Sequence, residues 1–147
     1  MLSTAMPAPN DAAFSIPARV YYEDTDAAGV VYYANYLRYC ERARTEWLRA
    51  LGFEQRTMCD ELRTVFVVRA VQADYLAPAR LDDALSIVTR LTRLGRASLV
   101  FAQSVVRGEQ VLFDSRITIA CVNAASGRPT PIPTALRSLL PAIADPT

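Results

Sequence analysis

Apolar positions along this chain repeat with two different periods, and the switch between them divides the sequence. Between about Ala34 and Leu51, residues Leu37, Cys40, Ala43, Trp47, Leu48 and Leu51 recur at three- and four-residue steps. Arg38, Glu41, Arg42, Thr45, Glu46 and Arg49 fill the other face. The spacing predicts one long amphipathic helix with an Arg42–Glu46 pair one turn apart, and Gly52 stands where a helix-ending residue belongs. Phe53 to Arg63 shows neither period clearly and reads as a short helix or loop. From Thr64 the period drops to two. Thr64–Leu76 is rich in β-branched and aromatic residues and predicts a long strand. Leu85, Ile87, Thr89 and Leu91 then alternate with polar neighbours, as do the sets from Ala97 to Val105 and from Val111 to Cys121. Turn chemistry over Ala77–Asp83, at Gly95 and at Arg107-Gly108-Glu109 separates these strands. Ahead of the helix, Phe14, Ile16, Val20 and Tyr22 suggest a first strand, with Pro17 favouring a sheet edge. A proline-rich stretch, Arg128–Pro133, leads into a short apolar segment, Ala135–Ile143.

The order is strand, long helix, then four strands with short connections. It predicts an α+β fold in which an antiparallel sheet of about five strands wraps around one helix. A single helix covers one face and leaves sheet edges free, so edge-to-edge association is expected. Residues 1–13 read as a flexible leader and 14–147 as a single domain. The leader lacks the basic start and apolar run of a secretory signal. No stretch reaches the roughly 20 continuous apolar residues of a membrane-spanning helix.

Composition sharpens the picture mainly by subtraction. With 147 residues, 52% of them hydrophobic, the chain can bury a core without disulfides or metal. A formal net charge of +1, with the arginines dispersed, gives no reason to expect nucleic acid or membrane as partner. Cys40, Cys59 and Cys121 are odd in number and widely spaced, as reduced thiols of a cytoplasmic protein would be. The chain has no histidine, and all 16 of its basic residues are arginine. Ser–His–Asp and Cys–His catalysis, histidine-ligated zinc and lysine nucleophiles are therefore excluded. Acid–base chemistry near neutral pH falls to carboxylates, tyrosine or water.

Tyr22-Glu23-Asp24-Thr25-Asp26-Ala27-Ala28-Gly29-Val30-Val31-Tyr32-Tyr33 places two aspartates on a short loop running into the helix. Acidic residues there commonly cap a turn or complement the helix dipole. The alternative is chemical. An aspartate ionised at neutral pH can attack an activated acyl group or activate water without histidine, and free amides at a helix start can hold the developing oxyanion. Gly29 would permit close approach of backbone to a ligand, and Val30 to Tyr33 would wall the site with apolar and aromatic surface. Cys40 lies on the apolar helix face and reads as a core residue. Arg69, Arg93, Arg96 and Arg128 could meet the phosphates of a nucleotide-bearing ligand, although solvated charges are the ordinary reading.

Several separated blocks resemble, in the same order, the YbgC-like and 4-hydroxybenzoyl-CoA thioesterase family. They are Arg19-Val20-Tyr21-Tyr22-Glu23-Asp24-Thr25-Asp26, Gly29-Val30-Val31-Tyr32, Glu41-Arg42-Ala43-Arg44-Thr45-Glu46, Phe66-Val67-Val68-Arg69, Tyr75 through Asp83, and Ser98-Leu99-Val100-Phe101. The resemblance implies a hotdog fold, homodimers that often pair into homotetramers, and sites shared between two subunits. It implies hydrolysis of an acyl- or aroyl-CoA thioester to free acid and CoA, with no metal and no cofactor, since CoA is part of the substrate. The acidic residue two places before Ala-Gly is the family's catalytic carboxylate, which falls on Asp26, and the oxyanion amide falls on Tyr33. Many YbgC-like members carry histidine at that position, whereas the 4-hydroxybenzoyl-CoA branch carries tyrosine as here. Gly29, Val30, Tyr32, Arg69, Arg96 and Ser98 complete the expected substrate-binding set. Acyl carrier protein is an alternative carrier. A non-hydrolytic acyl-CoA binding or adaptor protein is the competing reading; a histidine-dependent hotdog dehydratase is excluded.

Overall fold

The computed structural model describes residues 13–140. All but the last residue of the expected leader therefore lies outside the described residues, as does the end of the C-terminal apolar segment. Strand β1 (Phe14–Arg19) is followed by a single 3-10 turn, Tyr22–Asp24, and helix α1 (Asn35–Ala50). Helix α2 (Gln55–Leu62) precedes strands β2 (Thr64–Tyr75), β3 (Ala84–Leu94), β4 (Ser98–Arg107) and β5 (Gln110–Asn123). The chain then reaches a one-turn helix, α3 (Thr134–Arg137). The ambiguous stretch after Gly52 is thus helical over Gln55–Leu62, and Arg63 ends it in the left-handed region at φ 56°. The first strand is shorter than the apolar pattern suggested, because Tyr21 and Tyr22 leave the sheet for the 3-10 turn and are exposed.

The five strands form one antiparallel sheet in the order β1-β3-β4-β5-β2. The sheet folds round α1 as a hotdog fold. Period-two alternation puts Leu85, Ile87 and Leu91 of β3, Leu99, Phe101 and Val105 of β4, and Phe113, Ile117 and Ile119 of β5 in the core. Against them α1 packs Tyr36, Tyr39, Cys40, Ala43, Trp47 and Leu48, all nearly inaccessible. Trp47 meets Phe101 edge-on at 5.1 Å, and Tyr36 stacks on Phe113 at 5.0 Å. Ile132 and Leu136 of the C-terminal segment join the same core.

One inward position of β4 is polar. Gln103 is fully buried, but its amide donates to the Cys40 carbonyl and the Thr89 hydroxyl, both at 2.9 Å. Its carbonyl oxygen accepts from Arg44 at 2.8 Å. Both polar ends are thereby satisfied, and α1 is tied to β3 and β4. The expected Arg42–Glu46 pair does not form. Glu46 pairs with Arg49 instead, while the Arg42 guanidinium lies over the Tyr39 ring at 5.8 Å.

The two edge strands differ. β1 carries Pro17, which cannot donate to a neighbour. β2 is twelve residues long and leaves Val67, Val68, Val71 and Tyr75 between 40% and 52% exposed. A bulge between Val68 and Ala70 contains Arg69.

Candidate active site

The loop between β1 and α1 is pinned at both ends by its backbone. Asp26 N–H donates to the Val30 carbonyl at 2.9 Å, and Gly29 N–H returns to the Asp26 carbonyl at 2.9 Å. Thr25 bridges Val31, and Val30 bridges Arg80 in the β2–β3 connection. Gly29 has φ 80°, and nothing lies within 4 Å of where its Cβ would be. Glycine is required there by the backbone conformation of a tight turn, not by a crowding neighbour.

The two aspartates have opposite environments. Asp24 is 6% exposed. One carboxylate oxygen accepts from Asn35 Nδ2 at 2.9 Å; the other accepts from the Tyr21 amide at 2.8 Å and the Tyr39 hydroxyl at 3.0 Å. Its own carbonyl accepts from the Tyr32 amide at 2.9 Å. Asp24 thus ties the loop to the first turns of α1. Burial, followed by the charge of Asp24 and its hydrogen bond, pushes the Tyr39 phenol far above its ordinary value. Asp26 is exposed, and its carboxylate accepts from the Ala28 amide at 2.8 Å. One oxygen makes this Asx-type turn, and the carboxylate keeps further lone pairs for a ligand. The Tyr32 phenol is raised above its usual range, chiefly by its hydrogen bond to Tyr33 and by that neighbour, with burial and the Asp26 carboxylate adding to the effect.

Tyr33 precedes α1 by two residues, so its amide belongs to the turn entering the helix and not to the helix proper. Asn35 N–H closes that turn on the Tyr32 carbonyl at 2.8 Å. Among the described residues, no backbone or side-chain oxygen accepts from the Tyr33 amide. The Tyr33 carbonyl accepts from the Tyr75 hydroxyl at 2.9 Å. Tyr75, at the end of β2, has no local sequence signal that points to this contact, because 42 residues separate the partners.

The chain gathers Asp26, Gly29, Val30, Tyr32 and Tyr33 at one end of the sheet, where β2 finishes and β3 begins. Arg69, Arg96 and Ser98 are elsewhere. Ser98 starts β4 and pairs with Ala120, while the other end of β4, at Arg107, pairs with Asp83 next to the Arg80 connection. Ten residues of strand at about 3.3 Å each put these ends roughly 30 Å apart. Arg69 is exposed on the β2 bulge, six residues before Tyr75. Within one chain these three do not join the Asp26 loop. Between α1 and β2 runs an open groove of about 490 Å³, lined by Leu37, Arg38, Glu41, Arg42, Arg44, Val68, Val71 and Ile117. Cys40 is held up to about 11 by burial above all, which removes it as a nucleophile near neutral pH. No group of three potential metal-ligating residues occurs among the described residues.

A hotdog sheet around one helix, with a carboxylate loop at the helix entrance, defines a class that similarity to known proteins makes specific. The pattern of the thioesterase superfamily matches residues 28–113. The chain is 44% identical over 123 residues to "Acyl-CoA thioesterase YbgC" of Haemophilus influenzae, covering 84% of this chain and 90% of that protein. It is 46% identical over 125 residues to "Acyl-CoA thioester hydrolase YbgC" of Escherichia coli, covering 84% and 92%. A probable thioesterase from Bartonella henselae has the same fold, with TM-score 0.80 and 38% identity over 83% of this chain and 100% of that one. The chain belongs to the thioesterase superfamily, in its YbgC-like group. It is a thioester hydrolase.

Proposed function

We propose that this enzyme hydrolyses acyl- or aroyl-CoA thioesters to the free acid and CoA, with Asp26 as the catalytic carboxylate and the Tyr33 amide as oxyanion donor. One observation carries the reading. A single tight loop presents an exposed carboxylate with lone pairs to spare, and the turn it leads into presents an amide that has no acceptor among the described residues. In the general-base form, Asp26 takes a proton from water as the water oxygen attacks the thioester carbon. In the nucleophilic form, the Asp26 oxygen attacks, the C–S bond breaks, CoA thiolate leaves and takes a proton, and water cleaves the resulting anhydride. Either way negative charge appears on the carbonyl oxygen, where one preorganised donor is worth roughly 2.7–4 kcal/mol.

The active form in this proposal is a homodimer, with pairing of dimers into a homotetramer as a further step. The exposed apolar β2 edge favours strand-to-strand contact with a second copy. Antiparallel β2–β2 pairing sets the Arg69 bulge, near the middle of one copy's strand, across from the other copy's β2, which runs on to Tyr75. Arg69 is thereby offered to the phosphates of CoA bound beside the first copy's Asp26, with Gly29, Val30 and Tyr32 lining the acyl end. Ser98 pairs with Ala120, which pairs with Val67, two residues before Arg69; in this proposal Ser98 and Arg96 join the set through the second copy. Cys40, Cys59 and Cys121 are free thiols, in keeping with a cytoplasmic setting.

The test compares wild type with Asp26→Asn on short-chain, long-chain and aromatic acyl-CoAs and on acyl carrier protein thioesters. The expected result is turnover by wild type and a loss of at least 10²-fold in the variant with the fold intact. A variant that retains near wild-type rate refutes the assignment. Thioester binding by wild type without turnover would instead mark a binding or adaptor protein.

A further inference from the structure

We infer that Tyr75 is a positioning residue for the oxyanion donor, its hydroxyl holding the Tyr33 segment in the conformation that presents the Tyr33 amide to the thioester carbonyl. The inference rests on the function proposed above. Tyr33 lies outside α1, so no helical ladder fixes it, and its side chain is 63% exposed, so packing alone does not either. Its two flanking peptide planes are held by one hydrogen bond each. On the N-terminal side, the Tyr32 carbonyl accepts from Asn35 N–H at 2.8 Å. The Tyr33 N–H lies in that same rigid plane and points opposite to the carbonyl. On the C-terminal side, the Tyr33 carbonyl accepts from the Tyr75 hydroxyl at 2.9 Å. Tyr33 and Ala34 are the central residues of the turn that Asn35 N–H closes, so loss of the second bond frees torsions inside that turn and loosens the plane that carries the Tyr33 N–H.

The donor itself is well fixed. Tyr75 pairs with Phe113 at the end of the β2–β5 ladder, just before Leu76 and Ala77 both donate to the Leu112 carbonyl. Its ring makes edge contacts with Phe113 at 4.9 Å and Tyr36 at 5.5 Å, and reaches the Tyr33 ring at 6.4 Å. These contacts select one ring orientation and aim the hydroxyl at one oxygen. Burial, followed by Tyr33 and Tyr36, moves the phenol above its ordinary range, so the proton it donates stays in place through neutral pH. Tyr75 is still 48% exposed, so water can reach the Tyr33 carbonyl if the hydroxyl is removed. A phenylalanine should therefore keep the packing and the stability while losing the geometric constraint.

Tyr75→Phe should lower kcat about tenfold, less than the 10²–10³ expected for losing an oxyanion donor outright. KM and melting temperature should stay close to wild type. A purely structural role would not move a second readout, the infrared carbonyl band of an aroyl-CoA bound to an Asp26→Asn background. Adding Tyr75→Phe to that background should weaken the shift of the bound carbonyl. Wild-type kcat in Tyr75→Phe, or an unchanged carbonyl band in the double variant, overturns the inference while Asp26→Asn still upholds the proposed function. A wild-type enzyme with no turnover on any thioester overturns both.

Discussion

Replacing Asp24 with alanine should cost more stability than any change at Asp26, although the two aspartates stand two residues apart. Three donors converge on the Asp24 carboxylate: the Tyr21 amide, Asn35 Nδ2 and the Tyr39 hydroxyl. Tyr39 is 1% exposed and Asn35 is 5% exposed, so neither donor can turn to solvent once the carboxylate is gone. Each orphaned buried donor costs about 1–3 kcal/mol. The Tyr21 amide belongs to an exposed residue and recovers most of its loss from water. The total is about 2–6 kcal/mol, or a fall in melting temperature on the order of 10 °C for a domain of this size. Asp24→Asn should cost less. Its amide oxygen can take the place facing Tyr21 and Tyr39, and Asn35 can turn its own oxygen toward the new amide group. What remains is the difference between charged and neutral acceptors, roughly 1 kcal/mol per bond. Asp26→Ala removes one exposed bond to Ala28 and should cost under about 1 kcal/mol. Urea unfolding of the three variants, followed by intrinsic fluorescence of Trp47, measures all of these on one scale. An Asp24→Ala midpoint matching wild type would refute the claim that this carboxylate anchors the loop to α1.

Two further perturbations follow from burial and from the free edge. Cys40 and Cys121 are both pushed up to about 11, burial being the leading cause, so at pH 8 they hold about a hundredfold less thiolate than ordinary thiols. Cys59 is partly exposed and should react first with a disulfide reagent, the other two only on unfolding; three equal rates would refute this. Because both folded values lie above the unfolded ones, their stabilising contribution is complete below the unfolded thiol range and is lost as pH rises toward 11, which unfolding midpoints between pH 8 and 11 would record. Val68→Asp with Val71→Asp puts charges on the exposed face of β2 and should yield a monomer with at least tenfold lower turnover, read by sedimentation and by thioester hydrolysis. A dimer of unchanged mass would remove β2 as the contact.

Local periodicity carried the fold because each element repeats its own signal. The three- and four-residue steps of Leu37 to Leu51 became α1, and the alternation from Thr64 onward became four strands. Signals that depend on a distant partner were not legible. Glu46 could pair with Arg42 or Arg49 on the same face, and Tyr39 settled the matter by drawing the Arg42 guanidinium over its ring. Gln103 read as one more inward position, while its three partners came from α1 and β3. Spacing gave Asp24 and Asp26 equal standing as caps or catalysts. The family resemblance chose Asp26, and the fold separates the two by burial, enclosing Asp24 and leaving Asp26 open. Tyr75 could not be singled out at all, since its hydrogen bond to Tyr33 exists only when the end of β2 reaches the entrance of α1.

In the proposed dimer the same strand would complete the site that one copy leaves open. β2 supplies Tyr75 at one end, Arg69 on a bulge near its middle, and an unpaired apolar edge between and beyond them. The groove beside it mixes Leu37, Val68, Val71 and Ile117 with Arg38, Glu41, Arg42 and Arg44. Such a surface is poor as a solvent-facing patch, since its apolar walls stay wet, and poor as a closed core, since its charges would need partners. It suits a boundary that closes over both a second copy and a ligand with an apolar acyl end and a charged CoA end. In the proposed dimer, pairing would stiffen β2, and β2 carries the hydroxyl that holds the Tyr33 carbonyl. Assembly and oxyanion geometry would then rise and fall together. The Val68→Asp, Val71→Asp variant should therefore lose kcat even at saturating substrate, where a defect confined to CoA binding would raise KM alone.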